Sequence, residues 1–156
     1  MVFVVLLSIH LISAAIWLGG AVYERFVVVQ KARKVAGKEL ELELIKLFIS
    51  TSRIFVPAVV LLLLSGIALT AQEKLAFFSG DWLGMKQVIM SLIILGFVFV
   101  QGPRNGKLSK QIEQDRQSGG IMSETTRQAF NRLYVGFDLI HIGVVINVLL
   151  AVWKPL

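Results

Sequence analysis

The sequence of 156 residues has no cysteine, three prolines and only two histidines. The absence of cysteine excludes disulfide bonds, iron–sulfur clusters and thiolate-ligated metal sites. Charged residues make up 17 % of the chain and hydrophobic residues 56 %. Together with a mean hydropathy of +0.75, this balance excludes a water-soluble domain of ordinary composition.

Four long apolar segments occupy about residues 2–23, 54–71, 84–102 and 134–153. Each is close to the roughly 20 residues that a helix needs to cross the hydrocarbon core, whereas the strands of a membrane barrel would be shorter and would alternate. The sequence therefore predicts an all-α integral membrane protein, a single domain over residues 1–156 folded as a bundle of four transmembrane helices. The first segment lacks a basic leader, so we expect it to be retained as a span.

The net charge of +6 is distributed very unevenly. Residues 23–53 and 103–133 hold 13 basic residues, and the opposite side of the predicted bundle holds 3. Because positive charge stays in the cytoplasm, both long connections, 1–2 and 3–4, are predicted to be cytoplasmic and both termini to lie outside. This pattern predicts a multi-pass protein of the cytoplasmic (inner) membrane whose partner is the lipid bilayer and not a nucleic acid.

Local signals predict where the helices begin and end. Residues 23–46 contain no proline and a single glycine, so the first helix is expected to extend beyond the membrane. Residues 50–52 offer hydroxyl groups to cap the second span, and Pro57 is expected near the start of that helix. Gly102 and the following proline are expected to close the third span. Ser123 is expected to start the last helix.

The two histidines are the most informative residues. His10 lies in the first span and His141 in the last, and an ionisable side chain inside a membrane indicates a functional site. They lie at similar depth: nine residues from Met1 is about 13 Å, and twelve residues before Trp153 is about 18 Å. Two imidazoles that face each other across a bundle could ligate one metal, most simply the iron of haem b. The alternative is that each only hydrogen-bonds a neighbouring helix.

Residues around the histidines suit a cofactor pocket, although each also has a plainer interpretation. Trp17 shares a helical face with His10 and could line the pocket or simply pack. Asp138 lies one turn before His141 and could accept the second N–H of that ring, or pair with a cation. Lys86, at the outer start of the third span, could pair with haem propionates or extend toward the interface. Arg25 and Arg53 set the topology, and could also bind an anionic group.

Copper is the competing metal, because Cu(I) prefers soft ligands such as methionine. Met85, Met90 and Met122 are available, but they form no tight cluster with a histidine in the sequence. The copper prediction is the weaker of the two.

Several short motifs share their order and spacing with a known family. The first span reads His10-x6-Trp17-x-Gly19-Gly20-x2-Tyr23-x-Arg25, the third begins Trp82-Leu83-Gly84-Met85-Lys86, and the chain ends Val152-Trp153-Lys154-Pro155-Leu156. In these features the chain resembles the HemJ-type protoporphyrinogen oxidases and the related CopD-like membrane proteins over nearly its whole length. Ser52-Arg53 and the run to Ser65-Gly66 look more like the CopD side.

The resemblance implies that His10 matches an essential haem-ligating histidine, that Lys86 matches a functional lysine, and that haem b is bound. It also places Tyr23 in the cofactor-binding set. The chain departs from the HemJ pattern at the start of the last span, where the expected Asn-Glu-x-Pro-like element is missing, and the arginine after Tyr23 is offset by one position. A second imidazole, from His141, would give a six-coordinate haem suited to electron transfer.

The sequence thus predicts a haem b-binding membrane redox protein that exchanges electrons with a quinone or a partner protein. One alternative is an enzyme, an oxidoreductase that oxidises a porphyrinogen as protoporphyrinogen oxidase does. Another is a copper-handling or transport protein of the CopD kind. A third is an accessory subunit, or a homo-oligomer, in which the histidines only join helices.

Overall fold

The computed structural model describes residues 1–154, without the side chains of Ser52 and Arg53. Over that part every regular element is a helix, and turns or loops join the helices. All four helices are long and apolar enough to cross a membrane, which confirms the predicted all-α, four-helix architecture. The helices are α1 (Val2–Lys34), α2 (Glu39–Gln72), α3 (Trp82–Gln117) and α4 (Glu124–Trp153).

The four helices form two hairpins. Helix α1 packs along α2, and α3 packs along α4. The hairpins meet in an apolar cluster in which Trp17, 3 % exposed, packs with Ile93, Ile140 and Val144. We call the end of the bundle that carries residues 24–53 and 103–133 the connection end, and the other end the terminal end.

A second and larger apolar core lies at the connection end. It joins the polar extensions of all four helices and centres on Phe48, whose ring makes edge contacts with the rings of Phe130 and Tyr134. Its buried members are Val28, Val29, Ala32, Leu42, Ile45, Phe48, Leu108, Ile112, Met122, Phe130, Leu133 and Tyr134. The extensions therefore continue the bundle beyond the apolar spans.

An ion pair links α2 to α4 beside this core. Arg127 of α4 donates to both carboxylate oxygens of Glu41 in α2, from Nε to Oε1 at 2.9 Å and from Nη2 to Oε2 at 2.9 Å. The backbone N–H of Gly37 donates to the same carboxylate at 2.7 Å. Such a two-pronged contact fixes direction as well as distance, so it sets how α2 and α4 meet.

Two helices contain a π-helical turn, at Glu24–Val28 in α1 and at Gly96–Gln101 in α3. π turns are rare and occur frequently at functional sites. Each of these turns carries a buried polar side chain, since Glu24 is 5 % exposed and Gln101 is 4 % exposed.

The first connection differs from the predicted one. Helix α1 does outrun the first apolar segment, as expected, but it ends at Lys34. Gly37, at a φ of +81°, occupies the left-handed region in the turn that follows. Helix α2 begins at Glu39, so residues 50–52 do not cap it and Pro57 lies well inside it. Instead, the hydroxyl group of Ser50 donates to the backbone carbonyl of Leu47 within the helix.

The third helix also continues past the predicted end of the third span. Helix α3 continues through Gly102 and Pro103 to Gln117. The proline stands in the first turn of the α-helical stretch that follows the π turn, where the missing N–H costs little. The predicted start of α4 is confirmed, because the Ser123 hydroxyl accepts a hydrogen bond from the N–H of Thr126 at 3.3 Å.

Candidate functional site

His10 is held by the neighbouring helix α2. Its Nδ1 atom lies 3.0 Å from the carbonyl oxygen of Leu62 and 3.1 Å from the hydroxyl oxygen of Ser65. Because a carbonyl oxygen can only accept, Nδ1 carries the proton. The other ring nitrogen, Nε2, is then left with a free lone pair. This is the tautomer in which an imidazole can ligate a metal through Nε2.

Two small residues of helix α2, Ser65 and Gly66, leave room for the His10 ring. A Cβ atom on Gly66 would lie 3.2 Å from Cε1 of His10, so only glycine leaves the ring undisturbed there. The buried Ser65 hydroxyl donates to the carbonyl of Leu61 at 2.6 Å. The helix therefore fixes both the position and the orientation of the imidazole.

Lys86 accompanies His10 at the terminal end. It lies in the first turns of α3, half-buried and near enough for its charge to act on His10. Its ammonium group lies 5.6 Å from the ring centre of Trp82, as does that of Lys154. Asn147 donates from Nδ2 to the backbone carbonyl of Lys86 at 3.0 Å and so ties α4 to this point. The terminal end thus combines the unpaired ring nitrogen of His10 with two lysine side chains.

His141 lies in a different place. It is half-buried and lines a small chamber with Glu24, Thr51 and Asn105, while all the other lining residues are aromatic, including Trp17. The ring stacks on Phe137, with the centroids 6.2 Å apart and an interplanar angle of 21°. The chamber has a volume of about 20 Å³, enough for about one water molecule.

The structure does not bring the two histidines together. His10 faces α2, whereas His141 is level with Trp17, which lies seven residues further along α1 toward the connection end. Seven residues of helix correspond to about 10 Å. Their shared ligation stays a prediction from the sequence.

Glu24 is the buried residue that the sequence analysis missed. Its carboxyl group accepts a short hydrogen bond from the hydroxyl of Thr51. The side-chain oxygen of Asn105, in the same chamber, has no hydrogen-bond partner among the described residues. In the sequence, Glu24 reads as a flank of the first span, because neither its π turn nor a partner 27 residues away is visible there. A buried ionisable group at this depth makes Glu24 a candidate functional residue.

The other predicted residues gather at the connection end. Arg25 Nε lies 3.8 Å from Asp138 Oδ1, and the Arg25 guanidinium lies 4.8 Å from the ring centre of Tyr134. Among the described residues no hydrogen bond joins Asp138 to His141. Tyr23 is exposed. The prediction for the Arg53 side chain lies outside the described residues.

A grouped metal site is not present in the described part of the chain. No three or more His, Cys, Asp or Glu side chains there come close enough to hold an ion. The methionines are scattered, since Met85 is exposed, Met90 packs in the Trp17 cluster and Met122 is buried in the connection-end core. Copper stays an alternative predicted from the sequence.

The surroundings of His10 do fit an imidazole-ligated group. The hydrogen bond from Nδ1 to Leu62 leaves Nε2 free to ligate, the space beside Gly66 receives the ring, and Lys86 supplies a positive charge nearby. This combination is the usual support for a ligating histidine.

Residues 4–155 match the protein family described as "Predicted integral membrane protein (DUF2269)". The chain belongs to this family. The match covers all four helices, and it agrees with spans that are apolar and largely exposed on their outer faces. No curated protein and no solved structure matches the sequence.

Proposed function

We propose that this chain is a haem b-binding membrane protein that takes part in electron transfer, with His10 as an axial ligand of the iron. The observation that carries the proposal is the hydrogen bond from His10 Nδ1 to the carbonyl of Leu62, at 3.0 Å. It leaves Nε2 free for a metal and keeps the ring from rotating.

Charge at the same end supports haem over a bare metal ion. Haem b carries two propionate groups, and Lys86 supplies a positive charge close to His10. Bound haem would supply one-electron chemistry at a potential set by its ligands and its burial. The chain's own residues would hold and orient it: His10 through its ring and Lys86 through its charge.

A lipid-soluble electron carrier, such as a quinone, fits the surface of the bundle better than a polar substrate. At the terminal end, large apolar side chains of α1 and α4 are exposed, among them Val5, Ile9 and Leu149. Such a surface faces hydrocarbon in a membrane, where a quinone is dissolved.

The orientation follows from the charge distribution. The connection end holds 13 of the basic residues, so we place it in the cytoplasm and the termini outside. Reporter fusions at residue 119 and at the C-terminus would test this, with activity of a cytoplasm-only reporter expected at residue 119 alone.

The test of the haem proposal is the haem content of the purified full chain in detergent. We expect about one haem b per chain, loss of most of it in His10→Ala, and retention in His141→Ala with the spin state unchanged. A colourless protein that carries copper, or one without any metal, would overturn the proposal. A change from low spin to high spin in His141→Ala would instead show that the two histidines share the iron.

A further inference from the structure

We infer that a cavity at the connection end binds a single phosphate monoester group, carried either by a lipid headgroup or by a soluble molecule. We call it the arginine cavity, since Arg25, Arg33 and Arg127 all line it. The inference does not depend on haem, because the cavity lies at the other end of the bundle from His10.

The cavity has the size of a ligand site. Its volume is about 430 Å³, within the range of roughly 300–1,000 Å³ in which proteins bind small molecules. Helices α1, α2 and α4 form its walls, and apolar side chains such as Ile45 and Phe130 lie beside the charged ones. A group with a charged head and an apolar remainder suits that lining.

The charges in the cavity leave two cations available. Glu41 and Arg127 neutralise each other through their two-pronged contact, so neither is free for a ligand. Asp138 reaches Arg25 only at 3.8 Å, through the single Nε atom. Arg33 makes no ion pair with any described side chain. Most of the guanidinium N–H donors of Arg25 and Arg33 are therefore not engaged by a carboxylate among the described residues.

Tyr134 holds these two arginines side by side. The guanidinium carbons of Arg25 and Arg33 lie 4.8 and 5.7 Å from the centre of its ring, within the range of cation–π attraction. Tyr134 is 4 % exposed, and its buried hydroxyl has no hydrogen-bond partner among the described residues. Two planar forks that are pre-positioned next to each other match the oxygen geometry of a phosphate.

Asp138 is an anion in the cavity that competes with a bound phosphate for Arg25. The inference therefore predicts opposite effects on binding when Asp138 or an arginine is replaced. A bound phosphate would take over Arg25 from Asp138 and would also be repelled by that carboxylate. Removing the negative charge should therefore strengthen binding, whereas removing either free arginine should weaken it.

The experiment uses native mass spectrometry of the purified full chain in a neutral detergent. Phosphatidic acid and phosphatidylcholine are added at equal concentration, and glycerol phosphate serves as the soluble competitor. We expect one phosphatidic acid per chain to be retained in preference to phosphatidylcholine. Its affinity should fall roughly tenfold or more in Arg33→Gln and in Arg25→Gln, and should rise in Asp138→Asn.

Arg132→Gln is the matched control, because Arg132 is an exposed arginine of α4, the helix that carries Asp138, and does not line the cavity. Displacement by millimolar glycerol phosphate would assign the site to soluble phosphomonoesters, and resistance to it would assign the site to a lipid headgroup. The inference is overturned if no one-to-one complex forms, if Arg132→Gln weakens binding as much as Arg33→Gln, or if Asp138→Asn weakens it too. Since Arg33 is exposed, its variant keeps the test valid even if Arg25→Gln fails to fold.

Discussion

The hydroxyl of Thr51 in α2 donates a hydrogen bond to the buried carboxyl group of Glu24 in α1. The bond crosses between the two helices at the level of the π turn and beside the ring of His141. A polar group buried without a partner costs free energy, so this contact allows an acidic residue to lie where the first apolar segment reaches the connection end.

Thr51→Val should lower the free energy of unfolding by about 2 kcal/mol, because it removes the donor from a buried carboxyl group. The loss should be smaller when Glu24 is already replaced by glutamine, since a neutral amide suffers less from the missing partner. Denaturant titrations of the two single variants and of the double variant measure this coupling. Purely additive effects would mean that the two side chains do not interact.

Adjacent glycines in α1 provide a second prediction. A Cβ atom on Gly20 would collide with the ring of Phe55 in α2, whereas one on Gly19 would meet nothing within 4 Å. Gly20→Ala should therefore destabilise the protein by about 1–3 kcal/mol, and Gly19→Ala should not. Melting temperatures of the two variants in the same detergent compare them directly, and equal behaviour would contradict the close approach of α1 and α2.

The pair formed by Glu41 and Arg127 should be the strongest polar contact of the connection end. Glu41→Gln replaces a charge-assisted contact with a neutral one and should cost about 2 kcal/mol of stability. Glu43→Gln is the control, because Glu43 is exposed two residues away on the same helix. The prediction fails if the two variants unfold at the same denaturant concentration.

Ser65→Ala tests whether the support of His10 matters for the cofactor. It removes one of the two oxygens next to Nδ1 and leaves the Leu62 carbonyl in place. We expect haem affinity to fall roughly tenfold or more, as is usual when a residue that orients a metal ligand is lost. Ser91→Ala is the matched control, since Ser91 also bonds a carbonyl four residues back but does not contact His10. Equal haem retention in both variants would count against this role of Ser65.

The four spans could be predicted from the sequence because hydrophobic length alone determines which segments can cross a bilayer. The ends of the helices could not. Pro103 reads as a stop, but the π turn before it places the proline where a helix tolerates it. The 50–52 hydroxyl groups read as a cap, but apolar packing of the connection end carries α2 eleven residues further back from residue 50, to Glu39.

The candidate site was predictable only in part. His10 was recognisable because an imidazole in an apolar span is conspicuous, but its partners Leu62 and Ser65 depend on how α1 and α2 align, which no local pattern specifies. The pairing of Asp138 with Arg25 likewise depends on how α1 and α4 meet.

The measurement that tests the central claim most directly is the reduced-minus-oxidised visible spectrum of the purified chain and of His10→Ala. Our account predicts haem b absorption in the unaltered chain and its loss in His10→Ala, with both proteins eluting alike from a sizing column. Gly66→Ala, which crowds the same ring, should shift or weaken the bands. Identical bands with and without the His10 imidazole, or no haem in the unaltered chain, would contradict it.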